Sequence, residues 1–211
     1  CLAQEVGLRF NSATRVYLLP CIAGHVGADA AGAVLAEAPQ DSEEITLLID
    51  IGTNAEIILG NCHHLMAASS PTGPAFEGAQ ISSGQRAAVG AIERVRINPN
   101  NYEPIYKVIG SDQWSDSADF LKEVKKTGLT GICGSGIIEI IAEMYLAGII
   151  SEDGVINGAL SSKTKRIEKS GRTFCYKVTE QIAITQADVR AIQLATVSYT
   201  HLTLPTNGGV E

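Results

Sequence analysis

The chain has 211 residues, 45% of them apolar and 18% charged, a balance that supports a buried core and excludes a disordered segment. Its formal net charge is −7 and its basic residues are scattered, which excludes a nucleic-acid surface built on clustered Lys and Arg. The longest apolar stretches, 45–51 and 137–150, are too short or too interrupted to span a bilayer, and the N-terminus carries no secretory pattern.

Taken in chain order, residues 16–22 (VYLLPCI) read as a short apolar strand or loop, and the Ala, Val and Leu spacing that follows predicts a helix over 27–38. Pro39 and the acidic run after it close that helix. The segment ITLLIDIGTNAEIILG consists of two β-rich runs about Gly52, Thr53 and Asn54, and predicts a hairpin. Residues 67–92 are rich in Gly, Ser, Pro and Ala and predict loops around short helical turns. Residues 95–98 and 105–110 predict a strand pair, and the polar stretch 111–126 a surface insertion or short helix. A Gly-rich turn at 131–136 opens an amphipathic helix that ends near Gly148. Residues 152–177 read as irregular and exposed. Thr185 and Asp188 have capping-box spacing at the start of a helix over 185–195. Strands and helices mix without regular alternation, so the expected class is α/β with hairpins. The helix is expected to stop abruptly at Thr196, where the chain switches to Thr-rich residues. Residues 196–211 are therefore expected to be a non-native tail, with native sequence ending near Ala195.

The segment Asp50-Ile51-Gly52-Thr53-Asn54-Ala55-Glu56 carries the clearest chemistry. A strand delivers Asp50 to its end beside a tight turn, and Gly52 lets a ligand approach the backbone. Amides of Gly52, Thr53 and Asn54 directed into one concavity would hold an anion. Asp50 would then hold Mg²⁺ through water, since that ion needs only one or two carboxylates when phosphates supply the rest. The competing reading is a plain hairpin, with Asp50 and Asn54 chosen for turn chemistry. A second candidate is Gly134-Ser135-Gly136, where a helix N-terminus offers free amides to an anion. Close helix–strand packing explains those glycines equally well.

Other residues read more simply. Cys133 is expected to be a small packing residue, and Glu77 a solvated turn residue in the Gly/Pro-rich loop. Arg86 reads as a surface charge. Cys62-His63-His64 invites a metal reading, yet adjacent strand residues point to opposite faces, which favours a polar turn. Five dispersed cysteines (Cys1, Cys21, Cys62, Cys133, Cys175) form no C-x-x-C pair. They argue against a disulfide framework or a zinc or iron–sulfur site within these residues, and for a reducing, cytoplasmic compartment.

Five ordered segments carry a resemblance: IAGHVGADAAGAVLA, the DIGTNAE hairpin, SSPTGPAFEGAQISSGQRAAVGAI, GICGSGIIEIIAEMYLAGII and ITQADVRAIQLA. Over roughly residues 17–195 the chain resembles the C-terminal part of reductive activators of corrinoid proteins, within the acetate and sugar kinase, heat-shock chaperone and actin (ASKHA) superfamily. The resemblance implies a ribonuclease-H-like mixed sheet with a phosphate-loop β-hairpin, as a partial ASKHA-type domain over 1–195. It implies ATP and Mg as cofactors, with Asp50 in the Mg and water network. Gly52, Thr53 and Asn54 would hold phosphate oxygens, and Gly134, Ser135 and Gly136 would lie near the cleft. It further implies a 2Fe–2S ferredoxin domain only in the preceding part of the parent protein, and a corrinoid protein as partner whose Co(II) is returned to Co(I). One D-x-G-T-type hairpin stands in these residues, where two would clamp Mg-ATP, so this chain alone is expected to be inactive. The alternatives are a non-catalytic module that docks a corrinoid protein or a second copy of itself as a homodimer, and a small-molecule kinase of the same superfamily.

Overall fold

A computed structural model describes residues 1–125 and 127–200, and the expected tail beyond position 200 lies outside the described residues. The chain divides into two compact units, 1–51 with 55–70, and 52–54 with the residues from 71 onward. Both helices and sheets are present, as the α/β class requires.

The first unit holds helix α1 (Ala28–Glu37) and most of a three-stranded sheet in which β1 (Thr46–Ile51) and β2 (Asn54–Gly60) pair antiparallel. The third strand, β3 (Leu65–Pro71), lies beside β2 and, from residue 67 on, occupies residues expected to be loop. Helix α1 ends where Ala38 turns left-handed and donates its N–H to the Val34 carbonyl, and Pro39 cannot continue the helix. Leu48 and Ile58 face each other across the β1–β2 ladder and pack with Val26, Ala30, Val34, Leu65 and Ala67. Side chains alternate along a strand, so Leu47, Ile49 and Ile51 point to the opposite face, where all three are exposed. Residues 16–22 form no strand and stay in an irregular segment.

The larger core belongs to the second unit. Strand β4 (Ala91–Ile97) pairs antiparallel with β5 (Pro104–Val108) and parallel with the two-residue β6 (Gly131–Ile132). The short helix α2 (Phe120–Val124) stands in the polar stretch, where Phe120 meets Tyr106 edge-to-face. Helix α3 (Gly134–Leu146) packs along β4. Its buried residues Ile137, Ile140 and Met144 follow the i, i+3, i+7 spacing of one helical face, each contributing about 1.5–3 kcal/mol of burial.

Residues 152–177 are not irregular as expected. They contain β7 (Ile167–Ser170) and β8 (Thr173–Lys177), which form a hairpin and continue to β9 (Ala183–Thr185). The short polar turn between β7 and β8 hid the pairing, while Tyr176 lies fully buried and donates its hydroxyl to the Tyr102 carbonyl at 2.9 Å. Burial pushes the Tyr176 phenol far above its ordinary range.

Helix α4 (Gln186–Thr200) begins with the expected capping box. Asp188 Oδ2 accepts from the Thr185 N–H and hydroxyl, and the Asp188 N–H donates back to Thr185 Oγ1. The other Asp188 oxygen accepts from the Ser82 N–H and hydroxyl, tying the helix start to the Ser-rich loop. The helix runs on to Thr200, four residues past its expected stop at Thr196, because Thr and Val do not break a helix that is already propagating.

Candidate phosphate-binding site

The β1–β2 turn, residues 52–54, carries the candidate phosphate loop. In the ladder Asp50 stands opposite Glu56 and Ile51 opposite Ala55, so two carboxylates share one face of the hairpin next to its turn. Like charges directly opposite each other destabilise a sheet unless something offsets them. Glu56 is buried and accepts a hydrogen bond from the Ser69 hydroxyl at 3.0 Å, while Asp50 is exposed. The hard carboxylate oxygens of this pair suit Mg²⁺. Glu56 was missed as a candidate although the hairpin register, countable outward from Gly52 and Thr53, puts it across from Asp50.

Thr72, Gly73 and Glu77 brace the turn. Thr72, buried, donates its hydroxyl to the Gly52 carbonyl at 2.6 Å, and the Thr72 and Gly73 amides both donate to the Thr53 carbonyl. Glu77 Oε1 accepts from the Thr53 N–H at 3.0 Å and from the Thr53 hydroxyl at 2.5 Å. Those donors hold the exposed Glu77 carboxyl below the usual carboxylate range, against a small opposing effect of burial, and Arg86 adds a weaker pull. Glu77 is thus solvated, as expected, and also bonded to the hairpin turn, which was not expected.

The three turn amides expected to converge do not act alike. The Thr53 amide faces the Glu77 oxygen, whereas the Gly52 amide donates to the Asn54 carbonyl within the turn. A methyl on Gly52 would stand 3.6 Å from Glu77 Oε1, an ordinary contact that the fold tolerates. Glu77 itself is set by Gly78, whose left-handed backbone (φ +83°) lies against Gln85 so closely that a Cβ would meet the Gln85 nitrogen at 2.5 Å.

Gly134, Ser135 and Gly136 open α3. A Cβ at Gly134 would lie 2.0 Å from the Phe76 carbonyl oxygen, and one at Gly136 2.4 Å from the Ile92 oxygen. Ser135 donates to the Glu93 carbonyl at 3.2 Å. Packing alone accounts for both glycines, and an anion-binding role for this helix start is a separate proposal. Cys133 is buried with its sulfur against the Ile92 carbonyl, as a packing residue should be. The five cysteines are free thiols and form no cluster among the described residues. None of the described helices is long and apolar enough to cross a membrane.

A family model described as the C-terminal domain of RACo, the ASKHA domain, matches residues 44–208. The chain belongs to this family. It is 36% identical over 205 residues to a protein named corrinoid activation enzyme RamQ from Eubacterium limosum, covering 91% of this chain and 31% of that protein. It is 31% identical over 158 residues to a [Co(II) methylated amine-specific corrinoid protein] reductase from Methanosarcina barkeri, covering 71% of this chain and 29% of that protein. Among solved structures, a reductive activator for corrinoid, iron–sulfur protein superposes with a TM-score of 0.75 at 34% identity, over 93% of this chain and 30% of that one. The chain thus spans less than a third of the length of each of these relatives, and its ASKHA membership carries the ribonuclease-H-like α/β fold with it.

Proposed function

We propose that this chain is part of an ATP-dependent reductive activator of corrinoid proteins and supplies one of its phosphate-binding loops. The observation that carries the reading is the convergence of the Thr53 N–H and O–H on a single anionic oxygen, Glu77 Oε1. A phosphate oxygen is an acceptor of the same kind, and takes the same two donors once the Glu77 carboxylate yields. The bracing from Thr72 and Gly73 fixes the donors in advance, so binding costs little reorganisation. Asn54 lines the same turn and adds an amide side chain.

Asp50, with Glu56 opposite, is the carboxylate pair that would hold Mg²⁺ through water. Such an ion would neutralise charge on phosphate oxygens. Gly134, Ser135 and Gly136 are proposed to lie beside the nucleotide, where the α3 dipole favours negative charge.

In the whole protein, ATP hydrolysis accompanies transfer of one electron to Co(II), giving Co(I) on the partner corrinoid protein. The electron would come from a 2Fe–2S donor held by other residues of the longer protein. Nucleotide-linked closure contributes whatever difference in affinity it has for the partner's two states. Five free thiols fit a reducing, cytoplasmic setting.

The test is made in the gene product that contains this chain, mixed with a Co(II) corrinoid protein, a low-potential reductant and Mg-ATP. Asp50→Ala should abolish ATP hydrolysis and the appearance of the Co(I) spectrum. Unchanged turnover in that variant would remove Asp50 from the reaction and the phosphate-loop reading with it.

A further inference from the structure

We propose that Glu43, Cys62 and His63 form a binding site for a borderline-soft divalent cation of the Zn²⁺ class, on the first unit and independent of the phosphate loop. The ligand atoms of these three side chains lie within 4.8 Å of one another. His63 Nε2 and Glu43 Oε2 are 3.3 Å apart. A tetrahedral zinc ion with Zn–N and Zn–O bonds of about 2.0–2.1 Å places such a pair of donors roughly 3.3–3.4 Å apart, so this edge already has the spacing an ion needs. Thiolate, imidazole and carboxylate together are a donor set that suits Zn²⁺ and Co²⁺, and suits Mg²⁺ poorly.

The backbone brings the three residues together from two separate segments. Glu43 precedes β1, and Cys62 and His63 lie in the turn between β2 and β3. The Cys62 N–H donates to the Ser42 carbonyl at 2.8 Å, and the Asn61 side-chain amide donates to the Glu43 carbonyl at 2.9 Å. The Asn61 Oδ1 accepts from the His63 N–H at 3.1 Å, and the Asn61 N–H closes the turn onto the His64 carbonyl at 2.9 Å. Asn61 therefore holds both segments at once, and the ligand-bearing loops are positioned before any ion arrives.

Sequence reasoning discounted this motif because adjacent residues on a strand point to opposite faces. Cys62 and His63 lie in the expected polar turn, where that alternation does not apply, and a carboxylate arrives from another segment. Three protein ligands leave a tetrahedral ion one open position, for water or for a donor from another molecule. The side chains are exposed, so an ion enters without unfolding, and binding converts the Cys62 thiol to a thiolate with release of its proton.

The experiment is a Co²⁺ titration of the full chain, stripped of metal by a chelator and kept reduced. Expected are one equivalent bound, a near-ultraviolet thiolate-to-cobalt charge-transfer band, strong tetrahedral d–d absorption, and displacement of all three by one equivalent of Zn²⁺. Cys62→Ser should eliminate the charge-transfer band. His63→Ala and Glu43→Gln should each weaken Co²⁺ binding at least tenfold, and Cys21→Ser, another exposed thiol, should change nothing. Far-ultraviolet circular dichroism checks that each variant folds, which the exposure of all these side chains favours. A wild-type chain without a stoichiometric thiolate band overturns the proposal, and so does a band that survives Cys62→Ser.

Discussion

Replacing Glu139 with Ala should remove about 3 kcal/mol from the stability of the second unit. The Glu139 carboxylate reaches from α3 to the bulged part of β4, where it accepts from the Val95 N–H at 2.6 Å, from Arg94 Nε at 3.0 Å, and from Arg96. Val95 is fully buried, so without the carboxylate its N–H loses its acceptor, at a cost of about 1–3 kcal/mol. Both arginines are close to half exposed, and each ion pair adds only about 0.2–1 kcal/mol after solvent screening. The better helix propensity of Ala returns a few tenths of a kcal/mol.

Trp114, the single tryptophan, lies in this unit and reports its unfolding by fluorescence. With a urea slope of about 1.5 kcal/mol/M, the midpoint should fall by roughly 2 M. Glu139→Gln, which keeps an acceptor for Val95 but no charge for the arginines, should lose only about 1 kcal/mol. Burial pushes the Glu139 carboxyl up, but hydrogen bonds from Arg96, the Val95 N–H and Arg94 outweigh it and leave it below the ordinary range. A folded-state value below the unfolded one gives stability that is complete above the unfolded pKa and is lost as pH falls through the folded value. The wild-type midpoint should therefore drop with acidification below about pH 4.3, more steeply than that of Glu139→Gln. An Ala variant within about 0.5 kcal/mol of wild type, or a Gln variant with an equally steep acid limb, would refute the reasoning.

Glu77→Ala should tighten binding of a fluorescent ATP analogue by the parent protein, because it removes the carboxylate that occupies the Thr53 donors; Thr53→Val should weaken it. Asp188→Ala should cost about 3 kcal/mol in chemical denaturation, since both the α4 cap and two Ser82 donors lose their acceptor, while Thr185→Ala costs about 1 kcal/mol. Tyr176→Phe should cost about 1 kcal/mol for the lost bond to the Tyr102 carbonyl, again read by Trp114 fluorescence.

What the sequence disclosed and what it concealed follow from the range of the interactions. The hairpin at 46–60, α1 and the α4 capping box depend on neighbours within a few residues, so periodicity and spacing sufficed for them. The β7–β8 hairpin depends on Ile167 and Tyr176 meeting a core assembled from distant segments, which no local pattern in a Lys- and Ser-rich stretch reveals. At the candidate site, the hairpin turn at 52–54 was legible because a strand–turn–strand pattern surrounds it. Thr72 and Glu77 were not, because their roles consist of bonds to a turn about twenty residues earlier. Glu43 escaped the metal reading for the same reason, with Cys62 and His63 far along the chain.

The glycines at the start of α3 separate two ideas that share the same residues. Glycine-rich helix starts are often read as anion cradles, since free amides and the dipole favour negative charge. Here a Cβ at position 136 would lie 2.4 Å from the Ile92 oxygen and one at 134 only 2.0 Å from the Phe76 oxygen, both against backbone that cannot swing aside. An isolated helix gains about 1 kcal/mol from Gly→Ala, so the sign of the change is informative. Gly136→Ala should lower the urea midpoint, because opening the α3–β4 contact exposes part of the Ile137, Ile140 and Met144 face and costs more than the propensity gain. If it instead stabilises the chain while nucleotide affinity falls, packing is not what requires glycine there, and the anion role explains the residue better.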